Sequence, residues 1–284
     1  MSKPDEGSGC QSNDSSFQES EKMSIDVQIL EWPTVVQFIV FTGGFLLIAM
    51  ISAIAFRWLS NFKGIEPSSE TLALILGVYG AIYGVLLAFV IVIAWEDLNA
   101  ASSRVTMESA ALASVVRDAS FFPVSVRDEI SHEMRDYIDY TVNVEWRDMR
   151  KGRAPRASNP SLDDMLATVR SYTPDNTRGT VAYERMLTDL NTATTERRGR
   201  IGESQQHLPQ LLQWFIFGGA ICVVLLAAGY RPKSILDQVL LLGSLSLLLS
   251  SSLLIVLGLN HPFSGDISVS PDSYYSGILA QYRP

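Results

Sequence analysis

Charged residues and one histidine cluster at the edges of the apolar blocks of this chain. Glu96 and Asp97 follow at once on an uncharged stretch ending at Trp95. Arg197, Arg198 and Arg200 approach the third apolar block, and Asn260-His261-Pro262-Phe263-Ser264-Gly265-Asp266 leaves the fourth. If the four blocks cross a membrane, all three sets emerge on one side. Carboxylates, an imidazole and guanidinium groups at one membrane face would form an ion-attracting vestibule or a cation site, which needs fixed charge rather than a nucleophile. A plainer account fits the same residues. Glu96 and Asp97 are then solvated helix charges, the arginines their ion-pair partners, and HPFSG a Pro/Gly turn.

The stretch Thr71–Trp95, TLALILGVYGAIYGVLLAFVIVIAW, supplies a second candidate. As a helix it would be roughly 37 Å long, enough to cross a hydrocarbon core of about 30 Å. Gly77, Ala81, Gly84 and Ala88 recur at four- and three-residue steps, and Gly80 with Gly84 forms a small-xxx-small pair. Such a stripe lets another backbone approach where there is no water to expel. It is either a packing face or the lining of a pore.

Nothing points to catalysis. His132, His207 and His261 fall in three separate regions, and no HExxH, CxxC, Walker loop or GxSxG is present. Cys10 lies in a polar tail and Cys222 inside an apolar block, so neither a disulfide framework nor a cysteine metal site is expected. We therefore expect no enzyme activity, no bound metal and no cofactor. Net charge is −8, and no contiguous basic face exists to bind nucleic acid.

The elements that must position these residues follow from where apolarity is concentrated. The chain is 47% hydrophobic and only 18% charged, against roughly 25% charged for a soluble domain. Residues 1–24 are rich in Ser, Asp and Glu and read as a disordered acidic tail. Residues 25–95 comprise an interfacial segment and a first transmembrane hairpin, with spans at about 34–56 and 71–95. Trp32-Pro33 introduces the first span and Arg57-Trp58 closes it. Pro67-Ser68-Ser69 supplies the turn before the second span. Residues 209–259 form a second hairpin, with spans at about 211–230 and 236–259, a tight turn at Arg231–Ser234 and serines 244, 246, 250, 251 and 252 in the last span. Such serines usually bond to their own backbone or a neighbouring helix, though a pore lining is the other reading.

Residues 96–208 read as an extramembrane helical domain. The second span continues past Trp95 with apolar positions at Leu98, Ala101, Val105, Leu112 and Val115, until Pro123 breaks it. Ser125 and Asp128 resemble a capping box for a helix of about seven turns carrying Ile130, Met134, Ile138, Val142, Trp146 and Met149. Lys151–Pro160 is a loop. A short helix runs from Ser161 to about Tyr172, and a last one from about Val181 to Gly202. The expected fold class is all-α: four transmembrane helices in two hairpins, with a helical bundle insertion extending from spans two and three. Residues 260–284 add a turn and a short amphipathic helix begun by Ser270-Pro271-Asp272, with Tyr274, Tyr275, Ile278, Leu279 and Tyr282 on one side. Arg57, Lys63, Arg231 and Lys233 crowd the two short loops, which by charge density places those loops in the cytoplasm and the insertion outside.

VYGAIYGVLLAFVIVIAWEDLNAA, ESAALASVVRDA and LNHPFSGDISVSPDSY resemble the bestrophin-like family of bacterial membrane proteins, over about residues 34–282. The resemblance implies a multi-pass protein of the bacterial inner membrane. It also implies a distant relation to bestrophins, homopentameric chloride channels with a pore along the second span and both termini in the cytoplasm, the opposite of the charge-density orientation. Two functions follow as expectations. One is a homo-oligomeric anion channel in the lipid bilayer passing chloride or another small anion. The other is a non-conducting, membrane-anchored helical sensor or scaffold.

Overall fold

A computed structural model describes residues 25–63, 69–230, 232 and 234–283. The acidic tail 1–24, most of the turn before the second span (64–68), and Arg231 and Lys233 of the second tight turn lie outside the described residues. Nine α-helices are described: α1 (Ile25–Leu30), α2 (Thr34–Lys63), α3 (Ser69–Asp118), α4 (Val124–Tyr140), α5 (Trp146–Arg150), α6 (Pro160–Ser171), α7 (Thr177–Gln205), α8 (Gln210–Gly229) and α9 (Ile235–Leu259). A π-helical segment, Thr141–Glu145, joins α4 to α5, and two 3-10 stretches, Pro271–Tyr275 and Gly277–Tyr282, end the chain. Among the described residues there is no strand, and the fold is all-α.

Among the described residues, four helices are long and apolar enough to cross a membrane: Thr34–Leu59, Glu70–Phe121, Gln210–Gly229 and Ile235–Leu259. The second of them is the long axis of the molecule. At 50 residues, α3 reaches about 75 Å, more than twice the hydrocarbon thickness, because no Gly or Pro interrupts it after Gly84 until Pro123.

Two separate cores follow from this length. The first lies among the spans: Tyr83, Leu87 and Val90 of α3 meet Ile216, Ala220, Val223 and Ala227 of α8, with Leu249 and Leu253 of α9 and Phe45 and Ala49 of α2. The spans of α2 and α3 find their main partners in α8 and α9. Close approach substitutes for a hydrophobic drive here. Tyr83 lies so near Gly219 that a Cβ there would sit 2.5 Å from its ring. The second core holds Val105, Leu112 and Val115 of α3, Ile130, Met134 and Ile138 of α4, Leu162 and Met165 of α6, and Met186 and Leu190 of α7. Each large apolar side chain buried there contributes about 1.5–3 kcal/mol against exposure to water. The beyond-membrane half of α3 packs most extensively on α7, the helix leading back to the third span.

Several element starts depart from the expected ones. Pro123 precedes α4 without any side-chain cap, so the Ser125–Asp128 box does not form. Asn159 caps α6, accepting from the Ser161 amide at 3.1 Å. Asn176 caps α7, accepting from Gly179 at 2.8 Å, which starts that helix a turn earlier than Val181. At the C-terminus Ser270 is the expected cap, but Gly277, at φ +58°, splits the amphipathic helix into two turns. Tyr274, Leu279 and Tyr282 consequently enter the bundle core while Ile278 stays exposed.

Candidate functional site

On the membrane portion of α3 the two long faces differ. Tyr83, Leu87, Val90 and Ala94 are buried against the other spans. Gly77, Gly80, Ala81, Gly84 and Ala88 centre about 105° around the helix from that line, given about 100° per residue. Of these, Gly77, Ala81, Gly84 and Ala88 are exposed and Gly80 half-buried. A Cβ built on Gly77, Gly80 or Gly84 meets nothing within 4 Å. The stripe is thus uncovered within one chain.

The polar residues expected at the membrane face are not gathered into one site. Glu96, Asp97 and Arg198 are exposed, and among the described residues none of them forms an ion pair. Arg197 and Arg200 point away from Glu96 and Asp97, into the bundle. His261 and Ser264 are buried beside the end of α9. Ser264 donates to the Arg150 carbonyl at 2.7 Å, and Asp266 accepts from the Thr34 hydroxyl at the start of α2. The His261 ring lies 4.8 Å, centroid to centroid, from His207, and Asn260 accepts from the Leu208 amide at 2.7 Å, tying the end of α9 to the start of α8. Burial first, and then the neighbouring His207, push the His261 imidazole down to about 4 from 6.5; its Nε2 has no partner among the described residues.

The arginines are part of an unexpected arrangement. Glu108 of α3, Glu145 of the π segment and Arg200 of α7 are fully inaccessible, and Arg197 is 3% exposed. Arg200 donates from Nε to Glu108 Oε2 at 2.8 Å and from Nη2 to Glu145 Oε2 at 2.8 Å. Arg197 donates from Nη2 to Glu145 Oε1 at 2.7 Å, and to the carbonyls of Arg156 and Ala157 in the Lys151–Pro160 loop, both at 2.9 Å. Tyr137 donates to Glu108 Oε1 at 2.5 Å. Two acids and two bases cancel, and nearly every charged atom is hydrogen-bonded, which is what a buried ion network needs to be tolerated. Burial would lower the Arg200 pKa, but the Glu108 carboxylate outweighs it and holds the guanidinium well above its usual range. Burial, reinforced by the Glu108 charge, pushes Tyr137 well up. The Trp146 ring lies 5.6 Å from the Arg200 guanidinium carbon.

The positions carried a readable signal. Ala101, Val105, Glu108, Leu112, Val115 and Ala119 follow one heptad-like seam, as do Met186, Leu190, Ala193, Arg197, Arg200 and Ser204. A charge inside such a seam is buried if the seam is. The π segment, one residue out of α-helical phase, aims Glu145 into the same interior. One turn along α3 from Glu108, Arg104 pairs with Glu196 at 3.1 Å and more loosely with Glu203 at 3.9 Å, in the role expected of Arg197–Arg200 towards Glu96 and Asp97. Among the described residues no three His, Cys, Asp or Glu side chains gather to hold a metal.

Comparison with known proteins supplies the family. No curated protein and no solved structure gives a significant match. Residues 43–274 match the Bestrophin-like domain, from the first span through the α3–α7 bundle and the spans of α8 and α9 to the 3-10 turn at Tyr274. That match covers well over half of the chain: this membrane protein belongs to the bestrophin-like family.

Proposed function

We propose that the chain is the subunit of a homo-oligomeric, bestrophin-like anion channel in the bacterial inner membrane, with α3 as the helix nearest the conduction path. One observation carries the reading: the small-residue face of α3 is uncovered in the single chain, while a separate line of the same helix is packed. In lipid, a stripe of Gly and Ala gains only from another backbone or from an aqueous path, since lipid tails pack as well on Leu. Family membership supports the same direction. The lipid bilayer and further copies of the chain are the partners, and chloride or another small anion is the permeant species.

The purified protein in planar bilayers, with its mass measured in detergent, tests this. Anion-selective currents from an oligomer are expected, and replacing Gly84 with Leu should abolish either the currents or the assembly. A monomer or dimer without currents overturns the channel and leaves a membrane-anchored helical sensor or scaffold.

A further inference from the structure

A cleft of about 930 Å³ opens where the start of the first span meets the far bundle. Its walls come from Trp32 and Pro33 ahead of α2, Val142 and Asn143 of the π segment, α5, and the loop after α9. Arg147, Arg150 and Lys151 all line it, and none of them forms an ion pair with a described residue. Arg147 and Arg150 are exposed and Lys151 half-buried, and their clustering on one cavity gives it a positive wall suited to an anion. Glu31 and Asp266 also line the cleft, so the anion that fits carries hydrogen-bond donors as well.

A second, smaller groove of about 210 Å³ adjoins the cleft and shares Leu30 and Asp266 with it. It runs between the first turns of α2 and the last turns of α9, past Phe38, Leu254 and Ile255, and is mostly apolar. The cleft therefore lies at headgroup depth, just outside the start of α2 and the end of α9, and the groove lies at acyl depth between them. Trp32, 47% exposed at the mouth, is the interfacial anchor such a boundary favours.

We propose that cleft and groove together hold one anionic phospholipid with a hydroxyl-bearing headgroup, its phosphate on Arg147, Arg150 and Lys151 and one acyl chain between α2 and α9. Guanidinium forks suit phosphate oxygens, and the headgroup hydroxyls donate to Glu31 and Asp266. The floor of the cleft is Trp146, whose ring also abuts Arg200, so an occupied site stiffens the wall of the buried ion network.

The test compares melting of the full chain in phosphatidylcholine nanodiscs with and without added phosphatidylglycerol. A ligand that binds only the folded state should raise the wild-type midpoint by about 5 °C. Arg147→Gln, Arg150→Gln and Lys151→Gln together should remove that rise. Substituting Arg135, Arg170 and Arg178 by Gln, the same charge change at exposed positions outside the cleft, should leave it intact. Should the triple cleft variant not fold, Arg150→Gln alone, at an exposed position, is read the same way. Equal midpoints in the two lipid compositions, or a cleft variant that keeps the rise, overturn the proposal. So does an equal rise with inorganic phosphate in phosphatidylcholine discs, which would make the site one for a free anion.

Discussion

Arg200 and Glu108 are 92 positions apart in sequence and 2.8 Å apart in space, joining the helix that leads into the third span to the one that continues the second. Both are wholly buried. The pair therefore ties together the two helices that run from the bundle into the membrane.

Breaking this pair from one side should be costly. Arg200→Met leaves the carboxylates of Glu108 and Glu145 buried without their guanidinium, and should cost about 3–5 kcal/mol. Glu108→Gln leaves Arg200 its bond to Glu145 and should cost less, about 2 kcal/mol. The double variant should fall short of the sum by about 1–3 kcal/mol, because the second change removes a charge the first had orphaned. Denaturant unfolding followed by circular dichroism measures all three. Strict additivity would mean that the pair does not couple.

How much of this was legible in the sequence differs by element. The spans were, because apolar composition over twenty or more residues has few other uses. So was the run of α3 beyond Trp95, since neither Gly nor Pro interrupts it before Pro123. Helix starts were less so: Asn159 and Asn176 compete with Ser161 and later residues as caps, and only the backbone path decides. The membrane-face set assumed that charges near a span end stay near the membrane. Arg197 and Arg200 instead obey the seam of α7, with Ala193 and Ser204 on the same line, and turn inward. Glu145 was the least legible, because a π segment shifts the phase of every residue after it and no residue type announces one.

His261 should make stability depend on pH. Its folded-state pKa, about 4, lies below its ordinary 6.5, so the unfolded chain binds the proton more readily. The stabilisation from keeping it neutral is complete above pH 6.5 and is lost as pH falls towards 4, in total on the order of 3 kcal/mol. Wild type should lose stability faster than His261→Gln between pH 6.5 and 4, so the difference between their melting midpoints should change across that window and be constant above it. Parallel pH profiles would remove His261 as the cause.

The Thr141 hydroxyl is buried at the start of the π segment and has no hydrogen-bond partner among the described residues. Valine has nearly the same shape without the polar atom. Thr141→Val should therefore be neutral or stabilise by about 1 kcal/mol, against the usual loss for a core substitution. A clear loss of stability would mean that an ordered water satisfies the hydroxyl.

Two glycines in the spans should respond oppositely to the same added methyl group. At Gly219 a Cβ would stand 2.5 Å from the Tyr83 ring, whose hydroxyl donates to the Ile216 carbonyl at 2.9 Å. Gly219→Ala must displace that ring and break its bond, separating α3 from α8 within one chain at a cost of about 1–3 kcal/mol. At Gly84 nothing lies within 4 Å, so Gly84→Ala leaves the isolated chain undisturbed and adds helix propensity. If the uncovered stripe meets another copy of the chain, the methyl group must be felt between subunits instead. Melting in detergent should then register Gly219→Ala, and the mass of the assembly should register Gly84→Ala. An unchanged mass for Gly84→Leu as well would turn the stripe of α3 towards lipid or an open path rather than towards a second helix.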